Sequence, residues 1–223
     1  MNSISANLTA LHRKITAAAT AAKRDPSGVK LIAVSKFQPL EAVNAALAAG
    51  QTCFGENRVQ EAKGKYAGLR LERPDIELHL IGPLQTNKAE EAVKLFDVIQ
   101  TLDRPKLAAA LAKAIEKTGR KPRLYVEVNT GNEPQKAGVL PEALENFLRQ
   151  CRDEIGLSIE GLMCIPPEVD DPVPHFRLLK RLADENGLPH ISMGMSADFE
   201  SAIRCGATEV RVGTAVFGAR KAG

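Results

Sequence analysis

Apolar and polar residues alternate along this chain in two interleaved rhythms. Ile4, Leu8, Leu11 and Ile15 recur at helical spacing, which predicts a first helix near the N-terminus. Short apolar runs of strand length then follow: "VKLIAVSK" (29–36), "TCFGEN" (52–57), "ELHLIG" (77–82) and "VIQTLD" (98–103). The series continues with "RLYVEVN" (123–129), "SIEGLMCI" (158–165), "HISMGM" (190–195) and "EVRVGT" (209–214). Between them lie good helix formers such as "LEAVNAALAAG", "RPKLAAALAKAIEKTG" and "PHFRLLKRLADEN", several ending on Gly or Asn as helices do. Strict βα alternation predicts a parallel sheet. A count of eight predicts its closure, so the fold expected is α/β, a single (β/α)8 TIM-type barrel with an extra N-terminal helix. A doubly wound open sheet is the main alternative, but no GxGxxG follows the first strand. No linker or shift in composition divides the chain, so residues 1–223 are read as one domain, with "IPPEVDDPVPH" as one long βα loop.

Composition narrows the function. Lys and Arg total 30 against 27 Asp and Glu, the charges are mixed along the chain, and Trp is absent. Nucleic-acid binding, which calls for a basic stripe with aromatics, is therefore not expected. His12, Arg13 and Lys14 interrupt the Ala-rich N-terminus, unlike a secretory signal. No apolar run approaches the roughly 18 residues of a membrane span. Cys53, Cys151, Cys164 and Cys205 are scattered with no CxxC, which suits reduced thiols in a cytoplasmic protein better than disulfides or a metal site.

Barrels of this kind carry their chemistry at the C-terminal ends of the strands. Lys36 ends the first run, in register with Ile32 and Val34, and so points into the mouth. On position alone, a lysine snorkelling to solvent accounts for it as well as a function does. Other strand ends add Asn57, His79, Gln85, Asn87, Lys88, Asn129, Lys136 and Ser192. The loops after strands seven and eight, where such barrels often bind phosphate, offer Ser196 and the pair Gly213–Thr214 at helix starts. Ser196 also fits a plain helix cap, but the coincidence on adjacent strands favours phosphate. Arg211 shares a face with Gly213, one step deeper; a buried guanidinium needs a partner, either a carboxylate such as Glu127 or an acceptor on a ligand ring. A lysine, a phosphate cradle and a polar contact between them suit pyridoxal 5'-phosphate (PLP), whose aldehyde forms an imine with an amine.

The segments "LIAVSK", "FGENRVQE", "HLIGPLQTNK", "GLMCIP", "SMGMSADFE" and "RVGTAVFGAR" together resemble the PLP homeostasis protein family, which is similar to the N-terminal barrel of alanine racemase. The resemblance implies PLP held as an imine on Lys36, phosphate contacts from Ser196, Gly213 and Thr214, Arg211 near the pyridine nitrogen, and Asn57 lining the pocket. It implies a monomer that carries or buffers PLP and affects amino-acid balance without catalytic turnover, with apo-PLP enzymes as recipients. Arg58 departs from the family, which often has Tyr after "GEN"; that implies a changed rim and an intact imine. Lys136 in "QKAG" matches a family lysine linked to a second, transient PLP position, although an exposed loop lysine explains it equally.

Two other functions compete. A PLP-dependent racemase needs a second acid/base on the opposite cofactor face, and in alanine racemase this comes from a partner's extra β domain. Arg211 also argues against it, because a non-titrating cation at the ring nitrogen weakens the electron sink. A cofactor-free lysine-imine aldolase would use Lys36 alone, and an absorbing imine band separates it from both PLP readings.

Overall fold

The computed structural model describes residues 3–218. Eight parallel strands form a closed barrel in the order in which they occur in the chain. They are β1 (Lys30–Val34), β2 (Cys53–Glu56), β3 (Glu77–Leu80), β4 (Val98–Leu102), β5 (Arg123–Glu127), β6 (Ile159–Met163), β7 (His190–Ser192) and β8 (Glu209–Val212). Helix α1 (Ile4–Ala21) precedes the barrel, and a short α9 (Thr214–Phe217) follows β8. Between successive strands run α2 (Leu40–Ala48), α3 (Val59–Glu72), α4 (Ala89–Leu95), α5 (Pro105–Thr118), α6 (Leu144–Arg149), α7 (Pro172–Glu185) and α8 (Phe199–Arg204).

Eight strands in sequence need only seven crossover helices, which would leave the β8–β1 seam bare. Helix α1 covers that gap. It packs on α8, α9 and α2, burying Leu8, Leu11 and Ile15. Two capping contacts hold it there. Asn7 donates to the Val216 carbonyl at 2.9 Å, and Arg24 donates to the carbonyls of Ile203 and Ala207 at 2.6 and 2.8 Å. The "extra" helix of the sequence is thus the eighth member of the outer ring. No helix among the described residues is long and apolar enough to cross a membrane.

The apolar core lies between strands and helices, where Leu31, Ala33, Phe54, Leu78, Leu80, Leu124 and Val126 face outward against buried helix residues. The barrel interior is different. Tyr125 on β5 donates to Glu209 on β8 at 2.7 Å, and Gln100 on β4 donates to Glu209 at 2.9 Å. Strands four and eight are opposite each other, so these side chains meet inside the barrel. Gly161 makes room for them, since a Cβ there would lie 2.9 Å from the Tyr125 ring and 2.6 Å from the His190 carbonyl. At the N-terminal end, Lys30 and Arg123 both pair with Glu77, at 2.8 and 3.0 Å. Cys53 and His79 bring ligand atoms within 4.8 Å of the same carboxylate, which these cations already hold.

Two expectations change. The strands stop about two residues before the apolar runs do, because the chain leaves the ladder as soon as the loops turn away. The Pro-rich segment is a loop only as far as Asp171, whose carboxylate accepts from Val173 N at 3.1 Å and caps α7 with Pro172 in its first turn.

Candidate functional site

Lys36 sits in a tight turn just past the end of β1, at the C-terminal mouth of the barrel, and is half-buried. The turn is unusual. Phe37 has φ 62°, a left-handed conformation that a bulky side chain rarely adopts. It is held by side chains arriving from α3. Lys65 Nζ donates to the Ser35 carbonyl at 2.6 Å, and Glu61 accepts from Phe37 N at 2.5 Å. Lys65 in turn pairs with Glu56 at 2.6 Å and Glu61 at 2.9 Å. The Ser35 hydroxyl donates to Glu56 at 2.7 Å and lies 2.7 Å from the Tyr66 hydroxyl. Lys65 is only 12% exposed and Glu56 fully enclosed. Burial raises the Glu56 carboxyl above its usual range, against the lowering effect of Lys65 and Ser35. The backbone on either side of Lys36 is therefore fixed by a buried ionic cluster outside the barrel.

Asn57 follows β2 and is partly exposed. Strand pairing sets Val34 opposite Gly55, and Ser35 N donates to the Gly55 carbonyl at 3.0 Å. Lys36 and Asn57 thus follow the C-terminal ends of two paired, adjacent strands.

On the other side of β1 from β2 lie the loops after β8, which pairs with β1, and then β7. Ser196 occupies a turn ahead of α8. The sequence reading that it opens or caps this helix is corrected: the N-cap is Asp198, whose carboxylate accepts from Met195 N at 2.6 Å. The Ser196 hydroxyl has no hydrogen-bond partner among the described residues. Gly213 and Thr214 do open a helix, as N-cap and first residue of α9. A Cβ on Gly213 would lie 3.3 Å from the Val34 carbonyl, so glycine lets this loop close down against the end of β1.

Arg211 lies beneath these loops and is 4% exposed. No carboxylate bonds to it among the described residues. Its Nη1 donates to the Ser192 hydroxyl at 2.7 Å and its Nη2 to the Cys164 carbonyl at 2.8 Å. Ser192 donates to Gln100 at 2.7 Å, and Gln100 donates to Glu209. A buried charge is thus balanced through two neutral residues rather than by contact. Glu127 stands at the end of β5 without bonding to Arg211. Burial, and then the nearby Asp103, push its carboxyl up to about 7, while Arg211 pulls it down.

Other sequence candidates fall elsewhere. His79 and Ser192 are fully buried inside the barrel rather than at its mouth, where His79 lies 2.8 Å from Gln100. Asn129 braces its own loop through both directions of hydrogen bond with the Glu133 backbone, at 2.8 and 3.1 Å. Lys136 is half-buried rather than exposed, pairing with Glu133 at 2.6 Å and the Pro166 carbonyl at 3.2 Å. Sequence reasoning missed Glu56, Glu61, Lys65 and Tyr66, which look like ordinary residues of a helix and a strand end. It also missed Gln100 and Glu209. Polar residues at the inward phase of several strands, such as His79, Tyr125 and Ser192, were the available signal for those two.

The chain matches the family model "Alanine racemase, N-terminal domain" over residues 6–221. It is 42% identical over its whole length to the pyridoxal phosphate homeostasis protein of Pseudomonas aeruginosa, covering 98% of that protein. The Pasteurella multocida protein of the same name is 38% identical over 97% of each chain. The chain belongs to the pyridoxal phosphate homeostasis protein family. Among solved structures, PipY of Synechococcus elongatus without PLP superposes with a TM-score of 0.84 at 40% identity, covering 96% of this chain and all of that one. The PLP-bound form of PipY gives 0.81 at 38% identity, with the same coverage. Alanine racemase of Clostridium difficile shares the fold alone, with a TM-score of 0.72 at 14% identity over 57% of its length.

Proposed function

We propose that this protein binds PLP as an imine on Lys36 and serves as a carrier or buffer of the cofactor, without turnover of its own. The observation that carries this reading is the placement of an immobilised lysine turn at one barrel mouth together with two neighbouring loops that have uncommitted donors. Support comes also from the PLP in a PipY structure and from the names of the relatives. The residues suit the group. Ser196, the Thr214 hydroxyl and the backbone at Gly213 would take the phosphate, where glycine permits close approach. Arg211 uses two N–H groups on Ser192 and Cys164, and its fork has others for a ring acceptor. Asn57 would line the side next to Lys36. Bound PLP supplies an electrophilic aldehyde and an electron-withdrawing ring.

Arg211 decides what the site does not do. A guanidinium donates and cannot take up a proton near neutral pH, so it leaves a ring nitrogen unprotonated and the ring a poor electron sink. This favours a quiet holder of the cofactor over a racemase. The test is incubation of the PLP-loaded protein with L-alanine in deuterated water, following the α-proton by NMR. Exchange should stay far below enzyme-like rates of about 1 s⁻¹; reaching them would put the racemase reading first. An imine band bleached by borohydride excludes the cofactor-free aldolase. Handover to apo-PLP enzymes, a cytoplasmic setting, monomeric action and an influence on amino-acid balance belong to the same proposal. PLP transfer to an apoenzyme, with and without a trap for free PLP, checks the first of these.

Ser196→Ala and Thr214→Val should each lower PLP affinity roughly tenfold to a hundredfold, since a hydrogen bond to a charged group contributes about 1.5–3 kcal/mol. Neither hydroxyl bonds within the described protein, so the melting temperature of the PLP-free variants should be unchanged. Equal PLP dissociation in wild type and both variants would remove these residues from the site.

A further inference from the structure

At the ends of β2, β3 and β4, on the other side of β1 from the β7 and β8 loops, lies a second feature of the mouth. It is a half-open cavity of about 870 Å³ bounded by Asn57, Arg58, Gln85, Lys88 and Arg104. This volume falls in the usual small-molecule range of roughly 300–1,000 Å³. Its lining contains three cations and no carboxylate. Two of the cations are partly committed. Lys88 pairs with Glu91 at 2.8 Å, and Arg104 pairs with Asp103 at 2.5 Å while donating to the Leu84 carbonyl at 2.9 Å. Arg58 is exposed and has no partner among the described residues. It is also the N-cap of α3, a 14-residue helix with no side-chain cap, so the first N–H groups of that helix, at Val59 and Gln60, border the same cavity.

We propose that this cavity is the subsite for the carboxylate of a free α-amino acid whose amine approaches the Lys36 position. The proposal rests on the PLP reading and extends it to the second ligand. Asn57 links the two: it follows β2, the strand paired with the β1 that carries the Lys36 turn, and it walls the cavity. An amino acid whose amine reaches the Lys36 position must direct its carboxylate away from the phosphate loops on β7 and β8. The ends of β2, β3 and β4 lie on the other side of β1 from those loops, and the cations stand there. A carboxylate there meets a guanidinium with a free planar fork, the geometry that holds a carboxylate through two parallel bonds. The cavity would then favour amines carrying a carboxylate over those without one.

The test compares L-alanine with L-alaninamide, whose carboxylate is replaced by a neutral amide, at constant ionic strength. In the PLP-loaded protein, the concentration of each that half-saturates the spectral change of the Lys36-bound cofactor is measured for wild type, Arg58→Met and Arg58→Lys. For L-alanine, Arg58→Met should raise it about fivefold, equivalent to about 1 kcal/mol for an ion pair at a partly exposed site. Arg58→Lys should recover part of that loss, and the alaninamide value should stay at the wild-type level in both variants. An equal change for both ligands, or none for L-alanine, would overturn the proposal. A second arm uses the PLP-free protein, in which L-alanine should shift the Arg58 Nε–Hε NMR resonance and alaninamide should not. If wild-type protein never forms a cofactor band, the PLP reading falls, and this resonance alone decides the cavity: no shift rejects it as a carboxylate site.

Discussion

Lys36→Ala protein should fold as the wild type does and show no imine absorbance band after incubation with PLP. Both halves follow from position. Lys36 lies in the turn beyond β1, outside the strand ladder and the apolar layer between strands and helices. Truncating it opens no core cavity, and substitutions of this kind usually stay within about 0.5 kcal/mol. The backbone around it is held by Lys65 and Glu61 through main-chain groups at 35 and 37, which alanine retains. The imine, by contrast, needs this one amine. Absorbance spectra and mass analysis after borohydride reduction check the result. An unchanged band, or a reduced adduct on another lysine such as Lys136, would refute the assignment. PLP retained without the band would show that the phosphate loops hold it unaided.

The second large effect is expected at Lys65, which holds the Lys36 turn from the side of α3. Lys65→Met should destabilise the protein by about 3 kcal/mol at pH 8, because it strands the enclosed Glu56 carboxylate without its counter-charge. One oxygen of that carboxylate, Oε2, already has no hydrogen-bond partner. The pH dependence has a definite sign. Burial holds the Glu56 carboxyl above its unfolded value, and losing Lys65 raises it further. The folded variant then keeps a proton that the unfolded chain releases, so its stability falls as pH rises from the unfolded carboxyl range through the folded one. The deficit should therefore shrink toward pH 5, and Lys65→Met with Glu56→Gln should recover most of it. Denaturant melts at several pH values measure this. Lys65 also fixes the turn that aims Lys36. The variant should lose affinity for PLP while keeping that for pyridoxine 5'-phosphate, which carries an alcohol in place of the aldehyde. Equal losses for both ligands would reduce Lys65 to general stability.

The candidate site was only partly legible from residue order. Lys36, Asn57, Gly213 and Thr214 were readable because strand ends in a (β/α)8 barrel converge on one mouth, so their place follows from counting strands. Ser196 was placed in the right loop with the wrong local role. The N-cap falls two residues later, at Asp198, whose carboxylate accepts from Met195 N in the preceding turn, and the serine hydroxyl has no partner among the described residues. Arg211 was read as needing a partner, either a carboxylate such as Glu127 or an acceptor on a ligand ring. The balance through Ser192 and Gln100 was not legible, because it joins β8 to β7 and β4, and β4 and β8 are adjacent only across the interior of the closed barrel.

Residue order by itself determined the alternation of strands and helices, their count and the first helix. These depend on period and on turn chemistry, which are local. Closure decided the rest. Seven crossovers leave one seam open, so the N-terminal helix became the eighth outer helix, an outcome that no local signal carries. The helix α3 brought Lys65 and Glu61 onto a turn more than twenty residues earlier in the chain, and so converted a strained loop into a rigid mount for one amine. Such contacts arise from the packing of distant segments, and their energies come from burial and ion pairing in the assembled fold. For that reason the rigidity of the Lys36 turn and the cation-lined cavity beside it appear only in the tertiary structure.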